Sequence, residues 1–182
     1  MQVEEFFESS IKLIQLKAHE DHRGFFMQCY DQRVQEMCGF EVKQENISIS
    51  KKNVLRGMHY QWDEPMSKLV QCVHGKIVDF VLDIRKESKT FGESLSFTLD
   101  KPNKLLLVPA GFAHGFISLE EETIVKYHCS CYYNKEGEDS INFFDNEINL
   151  KNMLTIKKND VIMSKRDMQA IAFSDYKKQS KF

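Results

Sequence analysis

The sequence carries no excess of charge of either sign. Its 25 Lys and Arg stand against 27 Asp and Glu, a formal net charge of −2. That balance excludes a generally basic nucleic-acid binder and an acidic tail. No run of about 18 apolar residues occurs, so no segment is expected to cross a membrane. The opening residues, Met1 to Ser10, are acidic where a secretory leader is basic. Export is therefore not expected, and the protein reads as cytoplasmic. Cysteine is sparse: five residues, at 29, 38, 72, 129 and 131, with no Cys-x-x-Cys pair. An odd, scattered set argues against a disulfide framework and for a reducing compartment. There is no G-x-x-x-x-G-K-[ST] loop and no G-x-G-x-x-G after a strand. A P-loop enzyme and a Rossmann oxidoreductase are thereby excluded. Repeats, low-complexity stretches and linkers are lacking as well.

What is present is an ordinary globular balance. The 182 residues are 42% hydrophobic and 29% charged, with 14 Phe and 6 Tyr. This is enough to bury a core without staples, and it argues against disorder. One domain is expected over 1–182, with 176–182 as an exposed tail.

Most of the chain reads as short strands. Ile11–Lys17 and Glu45–Ser50 alternate apolar and polar residues. Lys68–Val73 and Lys76–Ile84 flank His74-Gly75 and predict a hairpin. Leu95–Leu99 and Lys104–Val108 predict a second strand pair. Thr123–Tyr133 is a long strand pattern. A helix is predicted over Asp31–Cys38, with Asp31 as its cap and Gly39 at its end. Another short helix is expected within Asp167–Phe182. Many short strands and few helices point to an all-β fold, a jelly-roll barrel with short peripheral helices. Such barrels enclose ligand cavities.

The densest polar cluster is Asn53-Val-Leu-Arg56-Gly57-Met-His59-Tyr-Gln61. Residues three apart fall on opposite faces of a regular strand. A bulge at Gly57 would aim Arg56 and His59 into one cavity. The cluster is then either an anion-binding Arg beside a general base, or a solvated strand end. Histidine suits the first because its pKa lies near neutrality. The second cluster, Pro109-Ala-Gly111-Phe-Ala-His114-Gly-Phe116, is similar to the second motif of cupin barrels, whose His often binds a metal. The partner motif would need His-x-His, but here it reads His59-Tyr-Gln61, so a three-His site is not available. His114 is a ligand-binding group or a hydrogen-bonded turn residue.

Tyr127 shares a strand face with Thr123, Val125, Cys129 and Cys131. That face is expected to point inward, with Tyr127 either a packed ring or a general acid. The Cys129-x-Cys131 pair is expected to pack there as small buried thiols rather than to hold a metal. Lys68 opens an apolar strand and is a fixed cation in the barrel or a snorkelling strand end. Arg23, in Asp21-His-Arg-Gly-Phe-Phe26, binds phosphate or sits in a charged turn. Asp167 alone reads as a helix-start or surface carboxylate.

Taken in order, these segments resemble the nucleotide-sugar 3,5-epimerase family of the cupin superfamily, typified by dTDP-4-dehydrorhamnose 3,5-epimerase. Gln44-Glu-Asn46-Ile-Ser48-Ile-Ser50, Lys68-Leu-Val, Asp83-Ile-Arg85…Ser88-Lys-Thr90-Phe-Gly and Ser164-Lys-Arg-Asp167 join those above. The resemblance spans about Ile11 to Asp167. It implies a cupin-like jelly roll, a homodimer, and no metal or organic cofactor. The substrate it implies is a nucleotide-linked 4-keto sugar inverted at C3 and C5, serving surface polysaccharide such as capsule or lipopolysaccharide. By resemblance His59 is the base, Asp167 its orienting partner, Lys68 the cation for the enolate and Tyr127 the acid. Arg23, Arg56, His114, Gln44, Asn46 and Gln28 match substrate-binding positions. Gln28 stands where the family usually has Glu, Met66-Ser67 where it commonly has a Gln, and Phe143 or Phe144 where it has Trp. The family's following Trp-Pro is absent from Asn149-Leu-Lys-Asn-Met153. These departures keep a GDP-linked hexose or heptose and a C3-only epimerase as alternatives. A sugar-nucleotide ketoisomerase, a metal-dependent cupin dioxygenase and a non-catalytic binding module are the remaining ones.

Overall fold

The computed structural model describes residues 1–154 and 156–182. In chain order its first strands are β1 (Gln2–Phe6), β2 (Ile11–Gln15), β3 (His19–Asp21), β4 (Gly24–Phe26), β5 (Gln44–Ser50), β6 (Leu55–Gln61) and β7 (Lys68–His74). The rest are β8 (Ile77–Asp83), β9 (Ser94–Leu99), β10 (Lys104–Val108), β11 (Phe112–Ser118), β12 (Thr123–Cys129) and β13 (Glu138–Ser140). The α-helices are α1 (Gln32–Cys38), α2 (Lys165–Met168) and α3 (Phe173–Lys178).

Two antiparallel sheets face each other, a six-stranded β1-β2-β10-β7-β12-β5 and a five-stranded β13-β6-β11-β8-β9. Strands β3 and β4 form a separate hairpin. Between the sheets lies a core of Val70, Ile77, Val81, Phe97, Leu106, Phe116 and Val125 with their neighbours. Part of each outer face is also covered. Helix α1 buries Val34 against Leu69, Leu105 and Leu107 of the six-stranded sheet. The C-terminal third lays Phe143, Leu150, Phe173 and Tyr176 on Val78, Phe80 and Leu82 of the five-stranded sheet. This double covering explains why β8 is buried at every position and lacks the alternation of a half-solvated strand.

Helix α1 forms where its caps predict. Asp31 Oδ1 accepts the Val34 amide at 3.1 Å, and Gly39 ends the helix at φ 71°. The strands predicted around His74-Gly75 and around Pro102 also form, but neither couple pairs. Strand β7 lies between β10 and β12, and β8 between β11 and β9, in the opposite sheet. Turn residues alone do not distinguish a hairpin from a corner that crosses the sandwich. Here the corner is fixed by close packing, since a Cβ on Gly75, at φ 79°, would fall 2.5 Å from Thr123 Oγ1.

The expected exposed tail at 176–182 requires correction. The Tyr176 ring is buried and its hydroxyl donates to the Ile84 carbonyl at 2.7 Å. The Phe182 carbonyl accepts the Lys86 amide at 3.0 Å, and its ring packs on Tyr60. Lys177, Lys178 and Lys181 are exposed, so the segment keeps its charges in water while two aromatics anchor it.

Candidate active site

At one end of the sandwich the two sheets leave a cavity of about 350 Å³. His59 and Arg56 reach it from β6, His114 from β11, Lys68 from β7, Tyr127 and Cys129 from β12, and Asn46 and Ser48 from β5. Asp167 closes it from α2.

The bulge expected at Gly57 is present. His59 pairs with His114 and Arg56 with Phe116, so two residues of β6, Gly57 and Met58, stand opposite Gly115 alone. The extra residue puts Arg56 and His59 on the cavity side while Met58 and Tyr60 join the outer core. Glycine is required because the strands nearly touch: a Cβ on Gly57 would lie 2.5 Å from Gly115 Cα.

His59 Nε2 and Asp167 Oδ1 are 2.7 Å apart. The Asp167 side chain is 6% exposed and that of His59 25%. Burial pushes the Asp167 pKa up, but the hydrogen bonds from His59 and Ser164 and the nearby Arg166 prevail and hold it below the ordinary carboxylate value. It is therefore ionised at neutral pH. Ser164 caps the single turn of α2, accepting the Asp167 amide at 3.1 Å, which fixes the carboxylate's direction. Asp167 takes the Nε2 side of His59, so Nδ1 is the nitrogen left to accept a proton.

A second dyad lies beside the first. His114 Nε2 sits 2.9 Å from Asp79 Oδ2, and both side chains are buried. On the opposite wall the Tyr127 hydroxyl is 3.2 Å from Ser48 Oγ. Burial raises the Tyr127 phenol well above its usual pKa, so it holds its proton at neutral pH. Lys68 is half-buried in the cavity wall, and that burial lowers its pKa against the pull of surrounding acidic groups. A basic histidine, a protonated tyrosine and a cation thus converge on one space.

Other expected residues stand apart. Gln44 braces the rim: its amide donates to Asn46 Oδ1 at 2.8 Å and its Oε1 accepts the Tyr133 amide at 2.9 Å. Arg23 is not brought to the cavity. It lies at the β3–β4 turn, exposed and paired with Asp21 at 2.6 Å. Gln28 lines a separate recess with Asp31 and Arg33. Conversely, Ser48, Tyr133, Glu138 and Arg166 line the cavity without having been singled out. Arg166 donates to Glu138 at 2.5 Å. Alternation along β5 would have placed Ser48 beside Asn46. Asp79 had a signal too, a lone carboxylate within the apolar run Ile77–Ile84. Among the described residues, no three His, Cys, Asp or Glu gather as a metal site.

The family model of dTDP-4-dehydrorhamnose 3,5-epimerase matches residues 9–175. The chain belongs to this family. It is an epimerase acting on a sugar nucleotide. The Salmonella typhimurium dTDP-4-dehydrorhamnose 3,5-epimerase is 42% identical to it over 146 residues, 78% of this chain and 80% of that protein. The Legionella pneumophila dTDP-6-deoxy-D-glucose-3,5-epimerase, solved with dTDP-4-keto-L-rhamnose, superposes with a TM-score of 0.88. It is 33% identical, with 95% of this chain and 93% of that one covered. A 3′-monoepimerase of Streptomyces bikiniensis, solved with dTDP-quinovose, reaches a TM-score of 0.85 at 27% identity, over 96% of this chain and 89% of that one. The epimerase has the β-rich, jelly-roll architecture of these neighbours. No helix among its described residues is long and apolar enough to cross a membrane.

Proposed function

We propose that the protein inverts C3 and C5 of a dTDP-linked 4-keto-6-deoxyhexose. The observation that carries this reading is the placement of His59, on the five-stranded sheet and bonded to Asp167 of α2, across the cavity from Tyr127 on the six-stranded one. A proton next to the C4 ketone is acidic once the enolate oxygen meets a fixed cation. His59 Nδ1 takes that proton, Lys68 meets the enolate oxygen, and the Tyr127 hydroxyl returns a proton from the other face. Solvent then strips His59 and reprotonates the Tyr127 phenolate. Asp167 holds the imidazole in one tautomer. Arg56, His114 and Asn46 bind the substrate's phosphates and sugar from the cavity walls.

Arg23 and Gln28 do not reach this cavity, and the hairpin that carries Arg23 leaves Phe25 and Phe26 exposed. Ile47 and Ile49 on the edge strand β5 are exposed too. These apolar surfaces support a homodimer in which the hairpin works against a second copy; light scattering on the eluted protein reads its mass. The five free thiols fit a cytoplasmic enzyme.

Incubation in D₂O with a dTDP-linked 4-keto-6-deoxyhexose, followed by NMR, tests the activity. Deuterium is expected at C3 and C5. Deuterium at C3 alone supports the second reading, a monoepimerase, which the Streptomyces bikiniensis likeness favours. Exchange only with a GDP-linked sugar would replace the nucleotide, and none with either would overturn the reading. His59→Ala should abolish exchange with the fold intact.

A further inference from the structure

Among the described residues, Asp79 is a fully buried carboxylate with one oxygen that meets no donor. It points into the sandwich from the middle of β8, between Ile77 and Val81 of the core. Its Oδ2 holds His114 Nε2, while Oδ1 is buried and unpaired. A buried carboxylate stays only where something offsets its lost hydration.

Lys68 has the complementary deficit. Its side chain is half-buried in the cavity wall, among the described residues no carboxylate lies within 4.0 Å of it, and Asp79 is one of the acidic groups whose charge acts on it. The other titratable groups facing Lys68 are Cys129 on β12, Cys131 just beyond it, and Glu138 on β13. Burial pushes both thiols up, so they stay neutral. Glu138 has its charge engaged by Arg166 at 2.5 Å. The same cavity carries His59 and Arg56 from β6, His114 from β11, Tyr127 from β12 and Asp167 from α2, and Asp167 is engaged by His59. Burial raises the Asp79 pKa, and the charges of His114 and Lys68 and the hydrogen bond from His114 pull against it; with Oδ1 unpaired, Asp79 is the carboxylate left available to Lys68.

We propose that Asp79 is a positioning residue for the epimerisation: it fixes the His114 ring and supplies the buried counter-charge that keeps Lys68 an ammonium. This rests on the reading that Lys68 meets the enolate oxygen. A counter-charge without a direct bridge suits that task. The attraction reaches across a low-dielectric interior, and all three N–H groups remain free for the enolate.

The test is Asp79→Asn, a near-isostere that keeps a polar partner for His114 and removes the charge. The kcat for exchange is expected to fall by about 10- to 100-fold with little change in KM. The alkaline limb of the pH–rate profile should move to lower pH, because an ammonium without its counter-charge loses its proton sooner. A purely structural Asp79 would lower Tm and leave the limb in place, which would overturn the proposal, as would an effect on KM alone. A second measurement needs no variant. In the wild-type chain, NMR of the Lys68 ε-carbon, assigned by its loss in Lys68→Met, should show an ammonium at neutral pH despite partial burial. An amine at neutral pH would overturn the counter-charge. If the wild-type enzyme shows no exchange, the functional reading fails instead, and the Lys68 titration still decides the role of Asp79.

Discussion

Strand β8 carries two aspartates four residues apart on one face, and both are buried completely. Their surroundings differ. Asp83, at the strand's end, accepts five hydrogen bonds. Oδ1 takes the Arg85 amide at 3.0 Å and its Nε at 2.9 Å. Oδ2 takes Arg85 Nη2 at 2.6 Å, Ser88 at 2.7 Å and Thr90 at 2.6 Å. All of these donors come from the loop that follows. Asp79, in the strand's middle, has His114 on one oxygen and, among the described residues, no partner on the other. A saturated buried carboxylate organises the backbone around it. An unsaturated one beside a cavity keeps electrostatic reach for whatever enters.

The largest effect that would break this contrast is on stability at Asp83. Asp83→Asn leaves the Arg85 guanidinium without its partner and turns an acceptor into a donor facing Ser88 and Thr90. Breaking a buried pair of this kind costs about 3 kcal/mol, or a Tm fall of about 6–12 °C in a chain of this size. Calorimetry measures it. The folded fraction should keep wild-type kcat, and a kcat loss as large as that expected at Asp79 would erase the distinction. The pH dependence has a definite sign. Burial raises the Asp83 pKa, but the hydrogen bonds from Arg85, Thr90 and Ser88 outweigh it and the pKa ends lowered. The stabilisation is thus complete above the unfolded value of about 3.9 and is lost as pH falls through the lower folded value. Denaturant melts from pH 7 downward should show this acid loss in the wild type and less of it in Asp83→Asn.

The two His–carboxylate dyads sharpen the comparison further. Asp167→Asn removes the acceptor that fixes the His59 tautomer. The expected loss is about 100-fold in kcat, with Tm within a few degrees, because α2 is one capped turn on the rim. A Tm collapse in that variant would make the rim dyad structural and reverse the reading.

The sequence made the strands legible because their alternation and apolar runs are local. It made α1 legible through Asp31 and Gly39, and the β6 bulge through Gly57. Pairing was not legible, since β7 and β8 are neighbours in sequence but lie in opposite sheets. Their partners depend on which faces α1 and the C-terminal third cover, a global fact. His59, Lys68, Tyr127 and Asp167 do meet in one cavity. Spacing alone was silent on Asp167, 108 residues from His59, and only the resemblance paired them. Arg23 and Gln28 show the converse, since motif membership did not place them on this chain's own cavity. The exposed Lys181 near the C-terminus also sets its ammonium 4.2 Å from the Trp62 ring centroid, a contact that no local pattern announces.

The smallest expected effect lies inside the saturated cluster. Ser88 Oγ donates to Asp83 Oδ2 and accepts the Thr90 amide at 3.2 Å. Ser88→Ala removes one of five donors and leaves Arg85 and Thr90 on the carboxylate. The loss should be about 1 kcal/mol, read by chemical denaturation, with kcat unchanged. The modest size follows from redundancy: the Asp83 charge stays paired through Arg85 and Thr90 when the Ser88 hydroxyl is gone. At Asp79 there is no redundancy, and removing its single charge should act on the reaction more than on the fold. If Ser88→Ala instead lowers kcat while stability holds, the loop after β8 is coupled to the cavity, and the two aspartates do not divide structure from chemistry.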